Sequence, residues 1–488
     1  MVSAASKPAR GDWIYLGLSA LAVVVSVLKA PPFPINDPAL FEYFGREMLH
    51  GQRLYADLLD VKPPSIFIVN ELWQRLFSDD YALQTYAEAA VNIAAIALFA
   101  LLLRRWKIEA WAPGTFLFAL SFSLPFPQFD YSQHYAIFFI VLALYLSACG
   151  RNLWAGAALA LATTFWIPAA LTALPILLQP TARREHITLA TGFAGTLALY
   201  LLWMLAAFGP SVFEYFVTIW RDYGSSGGGG LNFPQHGNPG IDLEQLRVTI
   251  LYSALGPAVG VLVLLLVAVA RAPVSAASRF ALIWSACALL GTAIPPKFAE
   301  HYFLPAVPAL SMAIASFGLP KPRLNWRLLA VAGALALMVV AVQQTLFFTR
   351  SFRARALSVV NLGEWIRSST GAGAIVYPYE FVPEVDLAAS AHLPSSDAGL
   401  HNILLRRFAW RTPPEVVVFG PFVIPPRVRQ GLPVKIRSSP AAQPIEYVPV
   451  CFGLTGGFAV YVRPHDAADF HCTKFELIFG SHGAPGTQ

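Results

Sequence analysis

The residues best suited to chemistry lie close together, between Asn36-Asp37-Pro38 and Asp60-Val61-Lys62-Pro63-Pro64. This stretch holds Asp37, Glu42, Arg46, Glu47, Arg53, Asp57, Asp60 and Lys62, in a chain that is only 13% charged, and long apolar segments flank it. Such a cluster beside a membrane reads as an active site at the bilayer surface, with Asp37 accepting a proton and Lys62 holding a phosphate. Each residue also has a plainer reading. Asp37 follows Pro31-Pro32-Phe33-Pro34, which ends a helix and restricts the chain's exit from it. A carboxylate there is a candidate base or metal ligand, and Asp-Pro is equally a good N-cap pair for a helix starting at Pro38. Pro63-Pro64 stiffens the chain after Lys62, and a helix starting near Ser65 points its positive end at the lysine, which suits a phosphate. The other reading is a weak surface pair between Lys62 and Asp60.

The elements that must position these residues are membrane helices. The 488 residues are 56% hydrophobic, with a mean hydropathy of +0.56, which excludes an ordinary soluble domain. Apolar runs fall at 12–30, 82–103, 111–126, 133–149, 153–166, 167–179, 187–208, 248–270, 279–295, 302–318 and 327–348. The fold class is therefore a polytopic α-helical membrane protein with about 11 transmembrane helices. Residues 153–179 are short for two spans and long for one, and Pro168 and Pro175 interrupt them. Two short helices, or a broken re-entrant pair, fit best.

Lys7/Arg10, Arg104/Arg105/Lys107, Arg151, Arg183/Arg184, Arg271/Arg279 and Lys321/Arg323/Arg327 fall on one side of these segments. The positive-inside rule makes that side cytoplasmic. The acidic loop 31–81 and the C-terminal region are then outside, as in a bacterial inner membrane with the site facing the periplasm. Topology accounts for the basic clusters, so the net charge of +6 implies no nucleic-acid partner; membrane lipids are the surroundings expected. Trp13–Ala30 reads as the first membrane helix rather than a cleaved signal.

Residues 1–349 form the membrane module. Its outer loop 209–247 contains Gly227-Gly228-Gly229-Gly230 and reads as a connector or a mobile lid. From 350 to 488 hydrophobicity falls. Strands at Ala374–Tyr379, Glu415–Phe419 and Ala459–Val462 and a helix at Asn361–Ser368 indicate a small extracytoplasmic α/β domain. Cys451 and Cys472 lie there, and whether they pair is open. Cys149 and Cys287 sit in apolar runs as small core residues.

The pattern Asp37-Pro-Ala-Leu-Phe-Glu-Tyr-Phe-Gly-Arg-Glu-Met-Leu-His-Gly51, then Leu54-Tyr55-Ala-Asp57 and Asp60-Val-Lys62-Pro63-Pro64, resembles the first outer loop of the GT-C superfamily of integral-membrane glycosyltransferases. It is most similar to bacterial members related to protein O-mannosyltransferases and lipid A aminoarabinose transferases, a family 39-like pattern. The resemblance extends more weakly to Lys297-Phe-Ala-Glu-His301-Tyr-Phe-Leu-Pro305 and Ala459-Val-Tyr-Val-Arg463. It implies transfer of a monosaccharide, with inversion, from a polyprenyl-phosphate donor to a hydroxyl of a lipid, glycan or protein acceptor. Asp37 then matches the catalytic acidic residue, and Lys62 the lysine that contacts the donor phosphate. Pro38 stands where many members carry a second acid and Val61 where several carry one before the lysine, so a metal at that pair is doubtful. No cofactor is assigned, and a divalent metal stays open. Asp57 and Asp60 are alternative second carboxylates.

Two further outer loops carry candidates. Asp130 and His134 in Phe129-Asp130-Tyr131-Ser132-Gln133-His134 are four apart, so they suit one helix face and one ligand, or an interfacial polar turn. Lys297 is a candidate second phosphate contact and His301 a candidate acceptor contact, against a structural role for a lone interfacial histidine. Convergence of the three clusters on one cavity is the enzyme reading. A transporter or flippase of lipid-linked sugars is the alternative. It calls for ionisable groups within the spans, where the main polar interruptions read as Thr163, Thr164 and Gln343/Gln344. A glycan ligase or polymerase calls for an outer loop richer in Arg and His than Arg221, His236 and Arg247 provide. A catalytically silent scaffold is the fourth reading.

Overall fold

The computed structural model describes residues 10–31, 33–35, 37–55, 58, 60, 62–123, 128–179, 182–210, 212–213, 275–294 and 300–317. In the C-terminal part it describes 356–357, 359–371, 373–378, 388–389, 391, 414–419, 430, 432–436, 444–451 and 459–467. Asp57, Lys297, Cys472, the glycine run of the 209–247 loop and the expected spans 248–270 and 327–348 lie outside the described residues.

Apolar composition and helix capping together account for the main elements. Helix α1 (Arg10–Lys29) opens the membrane part. Two loop helices follow, α2 (Asp37–Leu49) and α3 (Ser65–Phe77). Helix α4 (Tyr81–Arg105) starts where the Asp80 side chain accepts the Leu83 amide at 3.1 Å, a cap that satisfies one of the orphan N–H groups. It ends on Arg104 and Arg105, cations that suit the negative end of the helix dipole. Helices α5 (Trp111–Ser123), α6 (Ser132–Ala148) and α7 (Asn152–Phe165) follow. The segment expected to be split is split: after α7, Trp166 turns extended, a 3-10 turn covers Ile167–Thr172 and α8 (Ala173–Leu177) is one short turn more. Helix α9 (Arg183–Phe208), α10 (Ala276–Ala293) and α11 (Ala306–Phe317) complete the described membrane part.

Among the described residues, α1, α4 and α9 are long and apolar enough to cross a bilayer, and α6, α7, α10 and α11 are shorter apolar helices. Leu21, Val24, Leu28, Leu199 and Leu202 are exposed on α1 and α9. That suits segments whose outer faces meet lipid tails rather than water. Inside, Phe118 stacks on Phe122 at a centroid distance of 4.9 Å and meets Phe99 at 4.8 Å with the rings tilted.

Helices α7 and α9 touch backbone to backbone. A Cβ on Gly156 would lie 2.0 Å from the Leu189 carbonyl oxygen, and one on Gly192 2.0 Å from that of Leu153. Small residues of this kind let helices in lipid approach closely enough to gain dispersion contacts. The same device joins α2 to α3, where a Cβ on Gly45 would lie 2.6 Å from the Asn70 carbonyl carbon.

The C-terminal part contains a five-stranded sheet, ordered β1 (Val376–Pro378), β2 (Val416–Phe419), β5 (Ala459–Val462), β4 (Ile445–Cys451), β3 (Val434–Ile436). β1 and β2 are parallel and the other pairs antiparallel. A helix covers 359–370. The expected strands at 374–379, 415–419 and 459–462 are present; β3 and β4 are additional. Pro449 within β4 argues against a strand by sequence, and the ladder absorbs it with a register shift between Pro449 and Cys451. The Arg46 guanidinium on α2 donates to the Ala391 carbonyl at 2.6 Å, so the loop between α1 and α4 is clamped to the C-terminal part.

Candidate active site

The two ends of the first loop are brought together by specific backbone contacts. After α1, Ile35 exchanges two hydrogen bonds with the Gln128 side chain, at 2.9 and 3.1 Å, which pins the proline-rich exit to the loop before α6. Asp37 is then the first residue of α2. At the other end, Tyr55 adopts φ 62°, an unusual conformation for a side chain of its size. Its amide donates to the Leu58 carbonyl at 2.7 Å, and its hydroxyl to the Lys62 carbonyl at 2.7 Å. The Asp60 carboxylate accepts the Lys62 amide at 2.8 Å. Helix α3 starts at Ser65, immediately beyond Pro63-Pro64.

These contacts place Lys62 Nζ 3.3 Å from Asp37 Oδ2 and 3.9 Å from Asp60 Oδ1. The ammonium also lies 5.0 Å above the Phe41 ring, one turn into α2, where a cation is favoured electrostatically. Burial pulls the Lys62 pKa down, but Asp37, Asp60 and Tyr302 outweigh it and hold it above the usual lysine value, so Lys62 is a cation. His301, from the segment before α11, lies with Nε2 3.7 Å from Asp37 Oδ2. Its ring stacks on Tyr131 at 4.8 Å. Burial lowers the His301 pKa to about 4, with Asp37 raising it and Lys62 lowering it, so the imidazole is neutral near pH 7. The Asp37 side chain keeps 34% of its surface and that of Lys62 18%, so the pair remains reachable.

Residues from three loops thus meet in one place: Asp37, Asp60 and Lys62 from the first, Tyr131 from the second and His301 from the third. Asp130 and His134 do not join Asp37. A carboxylate oxygen of Asp130 lies within 4.8 Å of oxygens of Glu42 and Glu88, in a separate buried group. The Tyr135 hydroxyl donates to Asp130 at 3.0 Å. His134 is buried among the rings of Phe122, Phe129 and Tyr131. The expected shared helix face fails because α6 starts at Ser132 and leaves Asp130 in the preceding loop.

A metal has poor support at Asp37 itself, since the next residue is Pro38 and the group opposite is an ammonium. The site also contains residues that sequence reasoning missed: Phe41 beneath the lysine, Tyr55 behind its carbonyl, Tyr302 beside it and Tyr131 against His301. Aromatics in outer loops read as an interfacial belt, and nothing in their spacing marks these four. Glu88 carried a usable signal. It lies inside the apolar span 82–103, so the polar interruptions of the spans are not confined to Thr163, Thr164 and Gln343/Gln344, and a carboxylate there stands out as functional by default.

The model of Glycosyltransferase family 87 matches residues 63–296. That segment is just under half of the chain and starts immediately after Lys62; it is a different family from the family 39-like pattern of the first loop. A search of curated proteins returned no match. Among solved structures, ArnT from Cupriavidus metallidurans in the apo state aligns with a TM-score of 0.50 at 15% identity, over 94% of this chain and 98% of that one. The same protein bound to undecaprenyl phosphate aligns at 0.49 and 15%, over 93% and 98%. The chain is therefore similar to ArnT in fold along almost its whole length.

Proposed function

We propose that this chain is a membrane glycosyltransferase of the GT-C superfamily, a reading supported by the family 87 match and the ArnT-like fold, and that it moves a monosaccharide from a polyprenyl-phosphate carrier to an acceptor hydroxyl, at Asp37 and Lys62. The observation that carries this reading is the 3.3 Å contact between the two residues at an outer-loop site that solvent still reaches. The reaction needs one group of each sign. The acceptor hydroxyl is a weak nucleophile, and a carboxylate beside it takes the proton as the new bond forms. The departing phosphate gains negative charge as the glycosidic C–O bond breaks, and a fixed ammonium stabilises that charge. With base and cation on opposite sides of the anomeric carbon, the acceptor oxygen enters as the phosphate oxygen leaves, and the centre inverts.

Without substrate, Asp37 and Lys62 satisfy one another. A donor phosphate displaces Asp37 from Lys62, lies near the positive end of α3 and leaves the carboxylate for the acceptor. Asp60 and Tyr55 hold Lys62 in place by bonds to its own backbone. Neutral His301, beside Asp37, hydrogen-bonds the acceptor or the sugar. We place the site and the C-terminal sheet on the periplasmic side of the inner membrane, where the positive-inside rule puts the first loop. The acceptor is a hydroxyl-bearing lipid, glycan or protein.

The test is transfer from a panel of polyprenyl-phosphate sugars by the reconstituted protein, with product configuration read by NMR. One donor is expected to give an inverted product; a retained anomeric configuration refutes direct displacement. The buried acid group favours a second reading, movement of lipid-linked sugars across the bilayer. Translocation without bond cleavage in the same vesicles would establish that reading instead.

A further inference from the structure

Glu42, Glu88 and Asp130 come from α2, α4 and the second outer loop. Each offers one carboxylate oxygen, and the three lie within 4.8 Å of one another. All three residues are at most 4% exposed. Glu42 Oε2, Glu88 Oε1 and Asp130 Oδ2 have no hydrogen-bond partner. Two buried amides lie on α3 and α4. Asn70 on α3 hydrogen-bonds Asp130 through its amide group, while its Oδ1 is buried without a donor. Asn92 follows Glu88 by one helical turn, on the same face of α4; it is 2% exposed and neither side-chain atom has a partner.

We propose that Glu42, Glu88 and Asp130, with the carbonyl oxygens of Asn70 and Asn92, bind a hard divalent cation, Mg²⁺ or Ca²⁺. The donor set is all oxygen, as these ions require. Two ligands on opposite sides of Ca²⁺ stand about 4.8 Å apart at its usual bond lengths, so the carboxylate spacing fits within one coordination sphere. A divalent charge offsets anions that burial otherwise forbids. The buried, unpartnered amide oxygens of Asn70, which bonds Asp130, and of Asn92, one turn from Glu88, supply neutral ligands, so the site does not depend on the acids alone.

The ion is distinct from the Asp37–Lys62 pair, and the inference does not rest on the transferase reading. Its consequence is positional. Glu42 sits five residues after Asp37 on α2, and Asp130 adjoins Tyr131, which stacks on His301. One cation therefore ties together the loop that carries the carboxylate and the loop that backs the histidine.

The experiment uses the full chain in detergent after chelation. Mg²⁺ and Ca²⁺ are titrated separately, with Tm and metal content after desalting as readouts. A saturable rise in Tm with either ion, and about one retained ion per chain, is expected for the wild type. Both signals are expected to disappear in Glu88→Gln, which keeps the side-chain shape. Absence of both in the wild type overturns the proposal, as does an unchanged ion response in a folded Glu88→Gln. Should Glu88→Gln not fold, Asn92→Ala replaces it, with at least a tenfold weaker ion response expected and an unaltered response counting against the proposal. A Tm that rises in Glu88→Gln without any ion response identifies a proton-sharing carboxyl group instead and also overturns it.

Discussion

Replacing Lys62 by alanine tests the phosphate half of the site. The ammonium lies 3.3 Å from a carboxylate, a separation at which two unit charges attract by about 5 kcal/mol at an effective dielectric of about 20. Desolvation returns most of that gross figure, since the Lys62 side chain keeps only 18% of its surface. A charge-assisted hydrogen bond nets about 1.5–3 kcal/mol, or roughly 10- to 150-fold in an equilibrium. A donor aimed at charge that develops in the transition state contributes more, typically about 10²–10³ in rate. Lys62→Ala is therefore expected to lower kcat/KM for a polyprenyl-phosphate sugar by about 10²–10³. Lys62→Arg is expected to recover part of this, because it restores charge but not the compact ammonium. The assay is transfer of labelled sugar in proteoliposomes, with Tm measured on each variant. Tm should change little, because removing the ammonium also removes its burial cost. Wild-type kcat/KM in a folded Lys62→Ala would refute the reasoning.

Three other predictions follow from particular contacts. His301 is neutral in the folded protein, and its pKa lies near 4 against an ordinary 6.5. The unfolded chain therefore takes up a proton first as pH falls, and this residue's contribution to stability is lost between about pH 6.5 and 4, amounting to at most about 3 kcal/mol. Chemical denaturation of wild type and His301→Gln across that window should differ in slope, and parallel curves would contradict the assignment. Gly156→Ala and Gly192→Ala force a methyl group to within 2.0 Å of a carbonyl oxygen; each is expected to cost at least about 1–3 kcal/mol, read as a lower Tm, and melting identical to wild type would show that α7 and α9 do not pack this closely. A cysteine at Arg183 should be labelled by an impermeant maleimide only after permeabilisation; labelling of intact cells would reverse the orientation of the later helices.

How far the sequence carried depends on the range of the interactions. Apolar length marks spans well, so α1, α4, α6, α7 and α9 fall close to their expected positions. Pro63-Pro64 marked the start of α3 at Ser65 for the same local reason. The pairing of Asp37 with Lys62 was accessible only through the resemblance, because no spacing rule brings together residues 25 positions apart across a loop. The shared face expected of Asp130 and His134 does not form because a four-residue spacing implies one only inside a helix, and α6 starts at Ser132. The ring contacts among Tyr131, His301, Phe41 and Lys62 are tertiary, and aromatic residues in outer loops give no advance sign of them. Glu88 was legible and was passed over. A lone acid in an apolar span is costly to bury, and its partners, Glu42 and Asp130, were both already singled out as charged residues of outer loops.

On the proposed mechanism, Asp37 activates the acceptor while Lys62 holds the donor. Asp37→Asn separates the two steps. Donor binding, measured by isothermal titration with the polyprenyl-phosphate sugar that the wild type uses, should be retained in this variant, since the amide keeps the shape and Lys62 is untouched. Single-turnover transfer should fall by about 10²–10⁴, the usual contribution of a positioned base. Transfer at the wild-type rate by Asp37→Asn, with donor bound, would contradict the account.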